Sequence, residues 1–215
     1  MAGKPRTAPT TASAFDGRRA EIANAAAEMF VQGGVGTVSM DDIAREVGLA
    51  KPTLYHYFSS KDEILYAIHE QLYGLMLANL QARRAAGAPP EEQIRGIFID
   101  TLEHMDSHLG HTRVVFEHLR QLEPTYQKNI RKQQRKYEAL VHEILDEGIA
   151  SGVFRAVDVH LAALAMFGMA NWSYQWYSTG GKYRPDELGE FFYNLFMQGL
   201  AAPSPAVAKN GRSNR

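Results

Sequence analysis

Residues 39–64 read SMDDIAREVGLAKPTLYHYFSSKDEI, and how this stretch divides decides the fold. Ser39 is an N-cap residue, Asp41 and Asp42 suit the positive end of a helix, and Ile43 and Val47 fall four apart on one face. Gly48 stops that helix. After Leu49 and Ala50 comes Lys51-Pro52, and because proline suits a first helical turn, a further helix is predicted over 52–58. Two short helices joined by a tight glycine turn make a helix-turn-helix. Leu54 and Phe58, again four apart, would face inward onto Ile22, Phe30, Ile43 and Val47. So short a helix cannot bury Tyr55, His56 and Tyr57 as well, which leaves them, with Lys51, Pro52 and Thr53, to meet something outside the chain. In such a pair the second helix enters the DNA major groove. Hydroxyls and lysines there suit phosphates, the methyls of Pro and Thr suit thymine, and His or Lys suits the guanine acceptors.

Upstream, Ile22, Ala26, Met29 and Phe30 recur at helical spacing from Arg18 to Gln32, and QGGVG ends that helix. Residues 1–16, rich in Ala, Thr, Pro and Ser with Lys4 and Arg6, are expected to be a disordered, basic arm. Downstream, a fourth and longer helix runs from Lys61 to Ala86, and GAPP at 87–90 is the next strong break. Helices are predicted for 91–109, 112–122, 124–152, 158–177 and 186–200, followed by a disordered tail over 203–215. No stretch of comparable length alternates with period two. The chain is therefore expected to be all-α, with an N-terminal three-helix helix-turn-helix domain over 17–62 and a larger helical ligand-binding and dimerisation domain over 63–202.

The 215 residues can bury a sizeable core. Lys and Arg number 23 against 24 Asp and Glu, so nucleic-acid binding has to come from local placement of charge. With no cysteine, disulfides, thiolate nucleophiles and sulfur-based zinc sites are excluded. No run has the apolar length of a membrane span and the first residues lack the apolar core of a signal peptide, so a cytoplasmic location without membrane contact is expected. GGVG is a helix stop with no strand before it, and no GxSxG, GxxxxGK[ST] or HExxH pattern occurs. No enzyme and no cofactor is expected. His104 and His108, four apart, with His111 beyond them, have a spacing that can hold a metal, but surface or pocket histidines are the preferred reading and no metal site is assigned.

The segment AAAEMFVQGGVGTVSMDDIAREVGLAKPTLYHYFSSKDEIL within residues 18–65 resembles the N-terminal domain of the TetR family of bacterial transcriptional regulators. That resemblance implies phosphate contacts from Thr37, Ser39, Tyr55, Tyr57 and Lys61, and base contacts from Lys51, Pro52, Thr53 and His56. Pro52 stands where many relatives have Gly. The resemblance also implies a homodimer through the last two helices. That suits HLAALAMFGMANWSYQWY and DELGEFFYNLFMQGL, which carry more apolar surface than one small bundle can cover. Leu161, Leu164, Ala165, Gly168, Leu188, Phe192, Leu195, Phe196 and Gly199 are the candidate interface.

The remaining apolar residues suggest a cavity lined by Phe98, Leu102, Met105, Phe116, Leu119, Tyr137, Leu140, Phe167, Trp172 and Trp176. Beside them KNIRKQQRKYE repeats Lys128, Lys132 and Lys136 at four-residue steps with Arg131 and Arg135 between. Like charges at that spacing repel, so either solvent screens them or an anion sits there, with Arg131 and Arg135 as candidate residues of the ligand pocket. RKQQRKYE and WSYQWYSTGG resemble the branch of the family that responds to acyl-CoA thioesters. The expected function is a ligand-responsive regulator, most simply a repressor released from double-stranded operator DNA by a small hydrophobic effector such as an acyl-CoA. Two readings compete with it: a repressor answering to an uncharged aromatic or drug-like compound, and a helical small-molecule-binding protein or enzyme that binds no operator.

Overall fold

The computed structural model describes residues 11–200. Nine α-helices follow one another among them: α1 (Thr11–Gly33), α2 (Met40–Glu46), α3 (Lys51–Tyr57), α4 (Lys61–Ala85), α5 (Pro90–Ser107), α6 (Leu109–His118), α7 (Pro124–Ala150), α8 (Val159–Asn171) and α9 (Pro185–Leu200). Short 3₁₀ turns follow α6 and α8. The described residues contain no β-strand, in keeping with the missing period-two pattern. Residues 1–10 of the expected arm and the expected tail over 203–215 lie outside the described residues. Residues 11–16, placed in that arm by composition, instead extend α1. The reason is visible at Phe15, whose ring stacks on Tyr57 at 4.9 Å and meets His56 edge-on at 5.7 Å.

Local chemistry sets the helix ends. Ser39 and Asp42 form a reciprocal capping box at α2: the Ser39 side chain accepts from the Asp42 N–H at 3.2 Å, and Asp42 Oδ2 accepts from the Ser39 N–H at 3.1 Å. At the other end Gly48 adopts φ of 65°. Its N–H donates to Arg45 O and the Leu49 N–H to Ala44 O, the paired bonds that close a helix on a left-handed residue. Ser60 caps α4 by accepting from the Glu63 N–H at 3.1 Å. Prolines stand in the first turn of α3, α5 and α7.

Two apolar cores result. The first joins Ile22, Phe30, Ile43, Leu54 and Phe58 of the three N-terminal helices to Ile64, Ile68, Leu72 and Met76 of α4, and continues into Val114 and Val115 of α6 and Ile130 of α7. The second is built from α5, α7, α8 and α9 around Phe98, Leu102, Val141 and Leu145. Its tightest crossing is α5 on α9, where the place a Cβ would take on Gly189 lies 3.0 Å from Ile99 Cα. The C-terminal half of α4 is fixed by two arginine forks. Arg83 bonds both oxygens of Asp100 on α5, at 2.7 and 2.5 Å, and Arg84 bonds both oxygens of Glu147 on α7, at 3.2 and 2.8 Å.

Candidate DNA interface and effector cavity

Leu54 and Phe58 are fully buried, which turns the opposite face of α3 outward. Lys51, Pro52, Thr53, Tyr55 and His56 are exposed there and Tyr57 is half-buried. Arg19 holds the end of α3 from α1: its guanidinium lies 4.1 Å over the Phe58 ring, donates to Tyr57 O and pairs with Glu63 at 3.0 Å. Burial pushes the Glu63 carboxyl up, but the Ser59 N–H and hydroxyl, together with Arg19, bring it below the usual carboxylate range.

Four of the expected phosphate or base contacts are engaged within the chain. Thr37 Oγ1 donates to Gly33 O and Gly34 O at the end of α1. The Ser39 hydroxyl donates to Asp42 Oδ2 at 2.6 Å, which holds the Asp42 carboxyl below its ordinary value. Lys51 Nζ sits 2.8 Å from Asp41 Oδ1, and this partner raises the lysine pKa. Lys61 Nζ donates to Val35 O at 2.5 Å and Val38 O at 3.1 Å, pinning the α1–α2 turn and leaving one of three ammonium protons over.

A cavity of about 710 Å³ lies among α4, α5, α6, α7 and α8, within the range of small-molecule sites. Phe116, Leu119, Arg131, Tyr137 and Phe167 line it, with Tyr137 and Phe167 ring centroids 6.1 Å apart. Phe98, Leu102 and Met105 do not line it. They are completely buried in the second core, where Phe98 meets Phe192 at 6.3 Å and Phe196 at 5.7 Å. On α5 the cavity wall is Ile97, Thr101 and His104, the same spacing one residue, about 100° of helix, earlier. Leu140 is half-buried against the second core, and Arg135, Trp172 and Trp176 are exposed. Of the basic run, only Arg131 lines the cavity, with Arg120 joining it and Glu117 and Glu138 completing a mixed lining.

Polar groups that sequence reasoning missed lie on that wall: Tyr73, whose hydroxyl accepts from Gln134 at 2.7 Å, Thr101 and Asn171. The spacing of His104 is legible in the sequence, but its place on the wall is not. Neither of its ring nitrogens, nor those of His111, has a hydrogen-bond partner among the described residues. Burial, reinforced by the neighbouring His108, lowers the His104 pKa to about 4 and that of His111 to about 3. Both are neutral at physiological pH, and His104 offers the cavity an unmatched donor and acceptor. The signal in the sequence was a Thr and a His on the apolar face of an amphipathic helix.

Residues 22–68 match the domain described as "Bacterial regulatory proteins, tetR family", and residues 87–200 match "Tetracyclin repressor-like, C-terminal domain". The chain belongs to the TetR family of transcriptional regulators. The transcriptional repressor KstR2 of Mycobacterium tuberculosis is 27% identical over 194 residues, 88% of this chain and 96% of the relative. The solved structure of that ketosteroid transcriptional regulator superposes with a TM-score of 0.77 at 25% identity, covering 92% of this chain and 100% of the other. PfmR from Thermus thermophilus gives 0.77 at 29% identity, covering 82% and 97%. AibR, solved in complex with isovaleryl coenzyme A and operator DNA, shares the fold, with a TM-score of 0.73 at 22% identity over 83% and 97%.

TetR-family membership draws attention to the outer face of α8 and α9. Leu161, Leu164, Ala165, Gly168, Leu195 and Gly199 are exposed on it. Leu188 is buried, and Phe192 and Phe196 are half-buried, all three within the chain's own second core. In their stead Phe191, 60% exposed, stands four residues from Leu195. Leu164 also lines the cavity, so the cavity and this face share a residue. Among the described residues, no helix is long and apolar enough to cross a membrane.

Proposed function

We propose that the protein is a homodimeric repressor whose two α3 helices read an operator, and that an effector entering the α4–α8 cavity releases it. The observation that carries this reading is a shared wall. Leu72, Met76 and Val115 line the cavity and are also members of the core that holds α1, α2 and α3. An effector filling the cavity therefore bears on side chains against which the DNA-binding helices rest. With the far half of α4 tied to α5 and α7 by Arg83 and Arg84, movement is directed toward its N-terminal half. α6, packed on α1, is a second route. Pairing through α8 and α9 would set the two α3 helices about one DNA turn, roughly 34–36 Å, apart. The effector has to bind the operator-incompetent state better, and a coupling of about 1–3 kcal/mol gives roughly 5–150-fold release.

The chemistry of the cavity favours an apolar effector with a carbonyl or hydroxyl that can satisfy His104 and Thr101. An acyl-CoA thioester is the finer proposal: its acyl chain would occupy the apolar walls and its phosphates the side of Arg120 and Arg131. Among the described residues none of Lys128, Arg131, Lys132, Arg135 and Lys136 has a carboxylate within ion-pair distance, which leaves them available to an anion. The test is fluorescence anisotropy on DNA from upstream of the protein's own gene, titrated with CoA thioesters of several chain lengths and with the matching free acids. Release by thioesters alone, weakened in Arg131→Ala, supports the acyl-CoA reading. Release by uncharged compounds instead replaces the effector and keeps the repressor. Absence of salt-sensitive, sequence-selective binding would leave a helical ligand-binding protein that uses no operator.

A further inference from the structure

Glu138 and His142 stand one helical turn apart on α7 and share a face. The first turn of α8 brings His160 to the same place. Its Nδ1 lies 3.6 Å from Glu138 Oε1, and His142 Nε2 lies 3.9 Å from that oxygen. The two imidazoles meet edge to face with centroids 5.7 Å apart, and one ligand atom from each of the three side chains lies within 4.8 Å of the other two. Neither separation from the carboxylate oxygen is a hydrogen bond. His142 Nε2 is nonetheless shut off from solvent and has no hydrogen-bond partner among the described residues. With metal–nitrogen and metal–oxygen bonds of about 2.0–2.2 Å, the ligand atoms of a tetrahedral ion stand roughly 3.3–3.6 Å apart. Small side-chain rotations close the difference.

We propose that Glu138, His142 and His160 form a binding site for a divalent transition-metal ion of the zinc or cobalt type, joining α7 to α8. Two imidazoles and one carboxylate favour such ions over magnesium and calcium, which take oxygen ligands. Three protein ligands leave a coordination position open. The site lies where it matters to the rest of the molecule: Glu138 also lines the cavity, and His160 immediately precedes Leu161 at the head of the exposed apolar face. A bound ion would hold the first turn of α8 against α7 and fix the Glu138 carboxylate at the cavity wall.

The test uses untagged full-length protein stripped with a chelator and titrated with Co²⁺, whose visible absorption reports its coordination, followed by Zn²⁺ competition and thermal melts with each ion. The expected result is one saturable equivalent per chain, displaced by Zn²⁺, with a rise in Tm of a few degrees. Glu138→Gln, His142→Ala and His160→Ala should each weaken binding about tenfold or more, while His108→Ala leaves it unchanged. His160 is exposed, so its variant folds even if His142→Ala does not. The proposal is overturned by the absence of a saturable signal below millimolar Co²⁺, by a signal undiminished in Glu138→Gln and His160→Ala, or by one lost in His108→Ala.

Discussion

Two of this molecule's surfaces that leave large side chains in solvent differ in kind. On α3 the exposed residues are Lys51, Pro52, Thr53, Tyr55 and His56, and all but Pro52 have a polar tip. On the outer face of α8 and α9 the large exposed apolar residues are Leu161 at 62%, Leu164 at 48%, Phe191 at 60% and Leu195 at 52% exposure, none with a polar atom in its side chain. A surface that ends in donors and acceptors suits a partner that presents bases and phosphates, whereas a surface of bare hydrocarbon suits another like itself. The same helical geometry produces both. What differs is whether the residues left outside after the core is satisfied can hydrogen-bond.

The hardest test of the contrast is to give the second surface a polar tip. Leu161→Glu combined with Leu195→Glu would place carboxylates where a paired copy excludes water, at a cost of several kcal/mol. Sedimentation should show a monomer that is still folded, because both side chains stand outside the core. Operator affinity should fall about 100-fold or more, since only one half-site can then be held at a time. A double variant that remains dimeric with unchanged DNA binding would remove the self-association reading of α8 and α9 and leave that of α3 intact.

The contrast also explains how far the sequence could be followed. The helix-turn-helix is legible because its signals are local. Ser39 finds Asp42 three residues away, Gly48 has to adopt a left-handed backbone, and Leu54 and Phe58 repeat at four. In the C-terminal region the helices themselves are equally plain, but their rotation is not. On α5 the triplets Phe98, Leu102, Met105 and Ile97, Thr101, His104 have identical spacing. On α9, Leu188, Phe192, Phe196 and the pair Phe191, Leu195 do likewise. Choosing the core set rather than the cavity or outer set is a one-residue change of phase, and only the neighbouring helices decide it. Glu138, His142 and His160 were invisible for a related reason: two lie a turn apart, and the third arrives from another helix, eighteen residues further along.

The next largest effects separate holding from reading on the first surface. Lys61→Ala removes two charge-assisted bonds to Val35 O and Val38 O, so a loss of about 1.5–3 kcal/mol in stability should accompany weaker binding to every DNA sequence. Calorimetry and anisotropy together should show both. His56→Ala should leave Tm nearly unchanged, because the side chain is exposed, yet cost about 1–3 kcal/mol at particular base pairs. Equal losses for His56→Ala on operator and random DNA would withdraw its base-reading role. An unchanged Tm for Lys61→Ala would mean that the two carbonyls gain nothing from their bonds.

The smallest effect sharpens the comparison most, because it separates two jobs within one side chain. Tyr57 is half-buried, its ring stacked on Phe15 at 4.9 Å and its carbonyl held by Arg19. Tyr57→Ala would lose that packing and confound structure with contact. Tyr57→Phe keeps the ring and removes only the hydroxyl, so the fold should be indifferent. If the hydroxyl meets a phosphate, operator and random DNA should lose the same amount, about 0.5–1.5 kcal/mol. A parallel drop on both, with Tm held, assigns the ring to the fold and the oxygen to DNA. No change on either would make Tyr57 purely a packing residue, and the polar surface of α3 would then end at His56.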